Sequence, residues 1–210
     1  MSKIQEVAQA VENGKVKLIQ GLVQEAIDEG NDPTAILNEG MIGAMNTVGA
    51  KFQANEIFVP EMLVAAKTMK KGVEVLRPHL AGDSIGANGK FIIGTVAGDL
   101  HDIGKNLVKM MLEGKGFDVV DLGTDVTPEA FVNAAIEQNC DIICCSALLT
   151  TTMGVMEEVV KAAEAAGIRD KVKIMVGGAP ITQEFCDKIG ADAYTVDAAS
   201  AADKALSLVK

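Results

Sequence analysis

The stretch that decides the fold is 94-GTVAGDLHDIGKN-106. It continues the apolar residues Phe91, Ile92 and Ile93, so FIIGTV (91–96) reads as a buried strand. The glycine and aspartates after it read as a turn, and a helical period takes over from about 103 to 115. One of the chain's two histidines, His101, sits in that turn, two residues after Asp99. A strand passing through a short polar turn into a helix is half of a β–α–β unit, and the same pattern repeats down the chain. DVVDLG (118–123), DIICCSAL (141–148), VKIMVGG (172–178) and the weaker ADAYT (191–195) read as strands. Helices are predicted near 127–138, 153–166, 181–188 and 197–209. Such alternation implies a mostly parallel sheet covered by helices on both faces. The predicted class is α/β, with a doubly wound five-stranded parallel sheet of flavodoxin or Rossmann-like type.

Upstream the pattern is helical throughout. Ile4, Val7, Val11, then Val16, Ile19, Leu22, Val23, Ala26 and Ile27 recur at three- and four-residue spacing, with no strand signal before about Leu80. Asp32 followed by Pro33 reads as an N-cap with proline at the first helical position, and Pro60–Glu61 starts another helix after QANEIFV. Four helices, near 3–13, 15–29, 33–50 and 60–77, can enclose a small core as an antiparallel bundle. RPHLAGDSIGANG (77–89) has no hydrophobic period and reads as a connection. The expected organisation is therefore a helical domain over 1–80, a linker over 81–90 and an α/β domain over 91–210.

Composition narrows the function. Of 210 residues 49% are hydrophobic but only 3% aromatic, with 21 Gly and 10 Met, a mix suited to close-packed helices and tight turns. A net charge of −10 opposes binding to a polyanion, so no nucleic-acid partner is expected. No apolar run approaches the roughly 18–20 residues of a membrane span, and MSKIQEVAQAVENG reads as an amphipathic helix rather than a signal peptide. No membrane partner is expected, and the expected location is cytoplasmic. Cys140, Cys144, Cys145 and Cys186 lack C-x-x-C spacing and read as small core residues.

In an open parallel sheet, ligands bind beyond the carboxyl ends of the strands, near the reversal in strand order. The candidate loops are AGDLHDIG, GTDVTP, SALLTTT and GGAPIT. Asp99, His101, Ser146, Thr150, Thr152, Gly177 and Gly178 should then cluster at one edge. A phosphate cradle is not indicated, since neither G-x-G-x-x-G nor a P-loop follows the first strand. A phospho-aspartate receiver needs an Asp ending the third strand, where Ser146 stands. A conventional zinc or iron site needs three or four protein ligands, and the second histidine, His79, lies in the connection. Two readings of the His101–Asp99 pair stay open. It caps the helix starting near Ile103, or it offers one axial imidazole to a metal whose other bonds come from a macrocycle, with Asp99 fixing the tautomer.

D-x-H-D-I-G-K-N (99–106), S-x-L (146–148) and V-G-G-A (176–179) together resemble the cobalamin-binding domain shared by methionine synthase and the corrinoid proteins of methyltransferase systems. GAMNTVGAKFQANEIFVPEMLVAAKTMKKG (43–72) resembles the helical cap that covers the upper face of methylcobalamin in the same group. The chain as a whole resembles the small free-standing corrinoid proteins that serve separate methyltransferases for methanol, methylamines or methoxylated aromatics.

The resemblance implies cobalamin or a related corrinoid, bound base-off and His-on. By it, His101 binds cobalt, Asp99 hydrogen-bonds the other imidazole nitrogen, and Thr152 stands where a serine often completes a ligand triad. Asp102, Ile103, Gly104, Ser146, Leu148, Thr150, Gly177 and Gly178 match cofactor-binding positions, several of them along a slot for the displaced nucleotide tail. Phe52, Val59 and Met62 match cap positions above the methyl group, with ordinary bundle core as their alternative. The implied function is methyl carriage: cobalt(I) accepts a methyl from a substrate-specific methyltransferase and passes it to an acceptor methyltransferase, with a reductive activase as a further partner. Such a subunit carries the group and is not catalytic alone. Delivery requires the cap to swing aside, with residues 82–89 as the hinge. The competing readings are a cobalamin-binding sensor or regulatory module, and the small subunit of an adenosylcobalamin-dependent isomerase, which would not be expected to carry this cap.

Overall fold

A computed structural model describes residues 2–80 and 88–209. They fall into two compact units, one all-helical and one α/β. Residues 81–87 lie outside the described residues, and with them most of the expected linker and hinge.

The helical unit begins with α1 (Lys3–Glu12), closed by a reciprocal cap in which Ser2 Oγ accepts from Gln5 N–H and Gln5 Oε1 accepts from Ser2 N–H. The second helix does not start at residue 15 as the periodicity predicts. Gly14, at φ +63°, ends α1, and Lys15 N–H turns back to Ala10 O at 2.8 Å, so α2 spans Ile19–Asp28. The apolar spacing carries straight across this turn, which is why it is invisible in the periodicity. Asp32 Oδ2 accepts from Ala35 N–H at 3.1 Å and Pro33 fills the first position of α3 (Pro33–Ala35), as expected.

The expected single helix over 33–50 is interrupted by a π-helical stretch, Ile36–Ile42, before α4 (Gly43–Gln53). Gly43 N–H reaches five residues back to Asn38 O, and Gly40 packs closely against Ile4 and Val7 of α1. The last long helix, α5 (Val59–Leu76), is opened by Glu61, whose carboxylate accepts from Phe58 N–H at 3.0 Å. Val7, Val11, Ile19, Val23, Ile36, Met41, Met45 and Leu76 are buried in this unit.

The α/β unit runs β1 (Lys90–Thr95), α6 (Ile103–Gly114), β2 (Asp118–Asp121), α7 (Pro128–Gln138), β3 (Ile142–Ser146), α8 (Gly154–Ala165), β4 (Lys173–Gly177), α9 (Gln183–Ile189), β5 (Ala193–Tyr194) and α10 (Ala198–Leu208). All pairings are parallel and the strand order is β2-β1-β3-β4-β5, the flavodoxin-like order the alternation predicts. One sheet face carries Ile92, Val96, Ile143, Cys145, Ala147, Ile174 and Val176, packed with Phe131, Met156, Val159 and Cys186 from α7, α8 and α9. The β1–α6–β2 connection runs the other way, so a right-handed crossover puts α6 on the opposite face. Burial on both faces explains the nearly unbroken apolar strands. All four cysteines are free and buried, and desolvation pushes the Cys140 and Cys144 thiols up to about 12, with the Asp141 charge adding to the effect at Cys140. They are inert core residues, as expected.

Gly178, just after β4, has φ +132°, and a Cβ there would overlap the Ala147 carbonyl oxygen. At Gly177 a Cβ would meet open space. Gly178→Ala should therefore destabilise the protein by about 2–4 kcal/mol in urea unfolding followed by circular dichroism. Gly177→Ala should change stability by less than about 1 kcal/mol.

Candidate functional site

The chain leaves β1 toward β2 on one side and leaves β3 toward β4 on the other, so the loops after β1 and β3 part at their carboxyl ends and leave a crevice. The first loop carries Asp99 and His101, and the second carries Leu148, Leu149 and Thr152. Asp99 is fully buried, and both carboxylate oxygens are saturated with donors. Oδ1 accepts from His101 N–H at 3.0 Å and lies 2.7 Å from His101 Nδ1. Oδ2 accepts from Leu148 N–H at 2.7 Å and Leu149 N–H at 3.1 Å, with Thr152 Oγ1 at 3.1 Å. The loop is tied down further by Thr95, whose hydroxyl donates to His101 O at 2.9 Å.

Burial alone would raise the Asp99 acid. The hydrogen bonds from His101 N–H, Leu148 N–H, the imidazole and Leu149 N–H outweigh it and hold the carboxyl well below the usual carboxylate range. An ionised carboxylate only accepts, so Nδ1 of His101 carries the proton of this contact. In the neutral imidazole the lone pair then sits on Nε2, for which no hydrogen-bond partner is found among the described residues. The side chain is 53% exposed. The helix-cap reading of the pair is not what the geometry shows, because the Asp99 carboxylate is spent on its own loop and the β3 loop. Asp102 fastens the first turn of α6 instead: its carbonyl accepts from Asn106 N–H at 2.8 Å and its Oδ2 from Asn106 Nδ2 at 3.0 Å.

Thr152 is buried and joins the His101–Asp99 pair, but its hydroxyl also lies 2.9 Å from Leu149 O. It has one proton for two acceptors, so it can donate to only one of them at a time. Leu148 enters through its backbone N–H. Leu149 does the same, and no sequence signal marks it, because a main-chain donor has no side-chain signature. Around His101 the side chains of Leu100, Ile103, Leu148 and Leu149 are exposed by 72, 78, 43 and 39%. Leu100 and Ile103 flank His101 in the chain, and the Leu148 and Leu149 amides bind Asp99, so exposed apolar residues of two loops adjoin the His101–Asp99 pair.

Thr95, Ser146 and Gly177 are register neighbours on β1, β3 and β4, which puts them in one row on the face opposite Ile92 and Ile143. Gly177 and Gly104 border open space. Gly178 differs, since the protein's own backbone already demands glycine there. Thr150 is exposed on the β3 loop. In the helical unit Phe52 and Val59 are half-buried on either side of the α4–α5 turn, while Met62 is fully buried. Sequence reasoning also missed Lys105, whose nearly buried ammonium pairs with Asp121 at 2.6 Å, with Lys109 on the other oxygen at 3.1 Å. Among the described residues no three His, Cys, Asp or Glu side chains converge as metal ligands.

Known proteins resemble this chain along both units. Residues 3–77 and 89–207 each match a family described as a B12 binding domain. The dimethylamine corrinoid protein of Methanosarcina barkeri is 41% identical over 207 residues, which cover 98% of this chain and 97% of that protein. A corrinoid protein of Desulfitobacterium hafniense is 40% identical over 211 residues, covering 99% and 96%. Among solved structures, a cobalamin-binding protein from Desulfitobacterium hafniense superposes with a TM-score of 0.80 at 30% identity, covering 98% of both chains. A chain of the methanol:cobalamin methyltransferase complex from Methanosarcina barkeri gives 0.89 at 29% identity, covering 99% of this chain and 79% of its own. The histidine held by a buried carboxylate at the strand-order reversal thus occurs in a chain that matches B12-binding models in both units, and the chain belongs to the B12-binding corrinoid proteins.

Proposed function

We propose that this chain carries methyl groups between two methyltransferases on a corrinoid bound base-off and His-on, with His101 Nε2 as the protein's ligand to cobalt. When bound, the corrinoid supplies the metal that accepts and yields the methyl group. The observation that carries the reading is Asp99: fully buried, saturated by donors from two loops, and placed 2.7 Å from Nδ1, it leaves Nε2 as the free lone pair. Such a carboxylate fixes the ring's orientation and raises its basicity as a ligand. Thr152 adjusts the same carboxylate through its single hydroxyl proton.

The chain's other residues fit a flat apolar ring with a long polar tail. Leu100, Ile103, Leu148 and Leu149 give the ring an apolar seat around His101 and exclude water from it. The row of Ser146 and Gly177, with Gly104 in the first turn of α6 and Thr150 on the loop after β3, offers hydroxyls and close backbone approach to the tail. Phe52, Val59 and Met62 belong to the cap in this reading, with Met62 serving its packing. Relatives named for dimethylamine make a methylamine methyltransferase the first donor-side partner to test, with an acceptor methyltransferase and a reductive activase beside it. Four free buried thiols suit a reducing, cytoplasmic setting.

The absorption spectrum of the full chain reconstituted with cobalamin should show bound cofactor with imidazole in place of the lower base. His101→Ala should lose that signature, and an unchanged variant spectrum ends the assignment. Asp99→Asn should weaken the imidazole-on state about 10- to 100-fold. Because the Asp99 carboxyl is lowered in the folded protein, it stabilises the fold above the ordinary value near 4, and that contribution is lost as pH falls through the folded value. Thermal melts of the cofactor-free chain should accordingly lose stability between about pH 4 and pH 2, and Asp99→Asn should lose less of it over the same range.

A further inference from the structure

We propose that Asp125, on the loop after β2, is a positioning residue that sets the angle at which His101 is presented. The inference rests on the reading of His101 as the cobalt ligand. Asp125 grips the loop after β1 at two successive residues. Its Oδ1 accepts from Gly98 N–H at 2.7 Å, and its own N–H donates to Asp99 O at 3.1 Å. Both bonds go to the segment leading into His101 and come from the loop after β2, whereas Leu148, Leu149 and Thr152, which hold the Asp99 carboxylate, come from the loop after β3. The segment is thereby clamped from β2 through its main chain and from β3 through the Asp99 side chain.

The backbone of Asp125 makes this grip possible. Its φ is +57°, a left-handed conformation that costs most residues about 1–2 kcal/mol but is tolerated by Asp and Asn. Gly98, its partner, has φ +81°. Two turns in this unusual conformation thus face each other across a charge-assisted bond. The β2 side of the clamp is itself braced. Thr95 N–H donates to Gly123 O at 2.9 Å and Val126 N–H to Thr95 O at 3.0 Å. Asp121 Oδ1 accepts from Gly123 N–H at 2.9 Å while holding the Lys105 ammonium at 2.6 Å. A residue so placed acts on the imidazole through the loop rather than by touching the cofactor, so losing it should cost less than losing Asp99.

Two variants separate the bond from the backbone. Asp125→Gly keeps the left-handed conformation and deletes the acceptor, whereas Asp125→Asn keeps both the conformation and an accepting oxygen. With full-length protein and cob(II)alamin as the probe, electron paramagnetic resonance reports the fraction of cobalt carrying an imidazole nitrogen. Asp125→Gly should shift the imidazole-on equilibrium about 3- to 10-fold against coordination, at or below the lower edge of what direct partners of a ligating histidine cost. Asp125→Asn should stay within about twofold of the parent. In the cofactor-free protein, amide exchange at Gly98 and His101 should quicken in Asp125→Gly and not in Asp125→Asn.

An imidazole signal in Asp125→Gly equal to the parent's, with His101→Ala lacking it, overturns the proposal. So does an equal loss in Asp125→Asn and Asp125→Gly, since the asparagine retains the acceptor. If the parent itself shows no imidazole signal, the ligand assignment fails, and the exchange rates alone decide the clamp: faster exchange confined to Asp125→Gly upholds it, and unchanged exchange removes it.

Discussion

A carboxylate buried without exposure has to be surrounded by donors, and in this protein the donors that satisfy Asp99 are also what build the site. Two main-chain amides come from the loop after β3, one main-chain amide and one imidazole come from its own loop, and a hydroxyl stands ready on Thr152. Remove the charge and the two loops lose their common partner. Keep it, and the histidine is held in one tautomer with its second nitrogen open. The cost of burying the charge is offset locally, and orientation of the imidazole is what the arrangement yields.

The sheet explains why this can happen at one point only. In the order β2-β1-β3-β4-β5 the connections on either side of the β1–β3 boundary run in opposite directions, so the loops after those two strands diverge and expose their amides. Elsewhere along the same edge, successive loops fold the same way. Gly178, at a positive φ, lies so close to the Ala147 carbonyl that a Cβ would overlap it, while at its neighbour Gly177 a Cβ would meet open space. Adjacent glycines thus differ: the fold demands one and leaves space beside the other.

Much of this was legible before any coordinates. Helix and strand positions followed from apolar spacing because burial imposes a period of about 3.6 on helices and near-continuous apolarity on doubly covered strands. The elements that escaped were those with no period of their own. The turn at Lys15–Leu18 lies within an apolar pattern that continues across it, and the π-helical stretch Ile36–Ile42 differs from an α-helix by a hydrogen-bond shift that residue type does not encode. In the site, Asp99, His101 and Thr152 stood out by side-chain chemistry. Leu149 and Asp125 did not, since the first contributes an amide and the second a loop geometry.

Residue type and spacing along the chain were enough for the order of elements, the parallel α/β class and the choice of His101 and Asp99, whereas the strand order that places the crevice between the β1 and β3 loops is a matter of which strands pair. Only the tertiary structure decided how Asp99 is satisfied, which nitrogen of His101 is left open, and that the aspartate serves the loops rather than the start of α6. Those outcomes depend on main-chain groups some fifty residues apart in the sequence, which become neighbours only when parallel strands lie side by side.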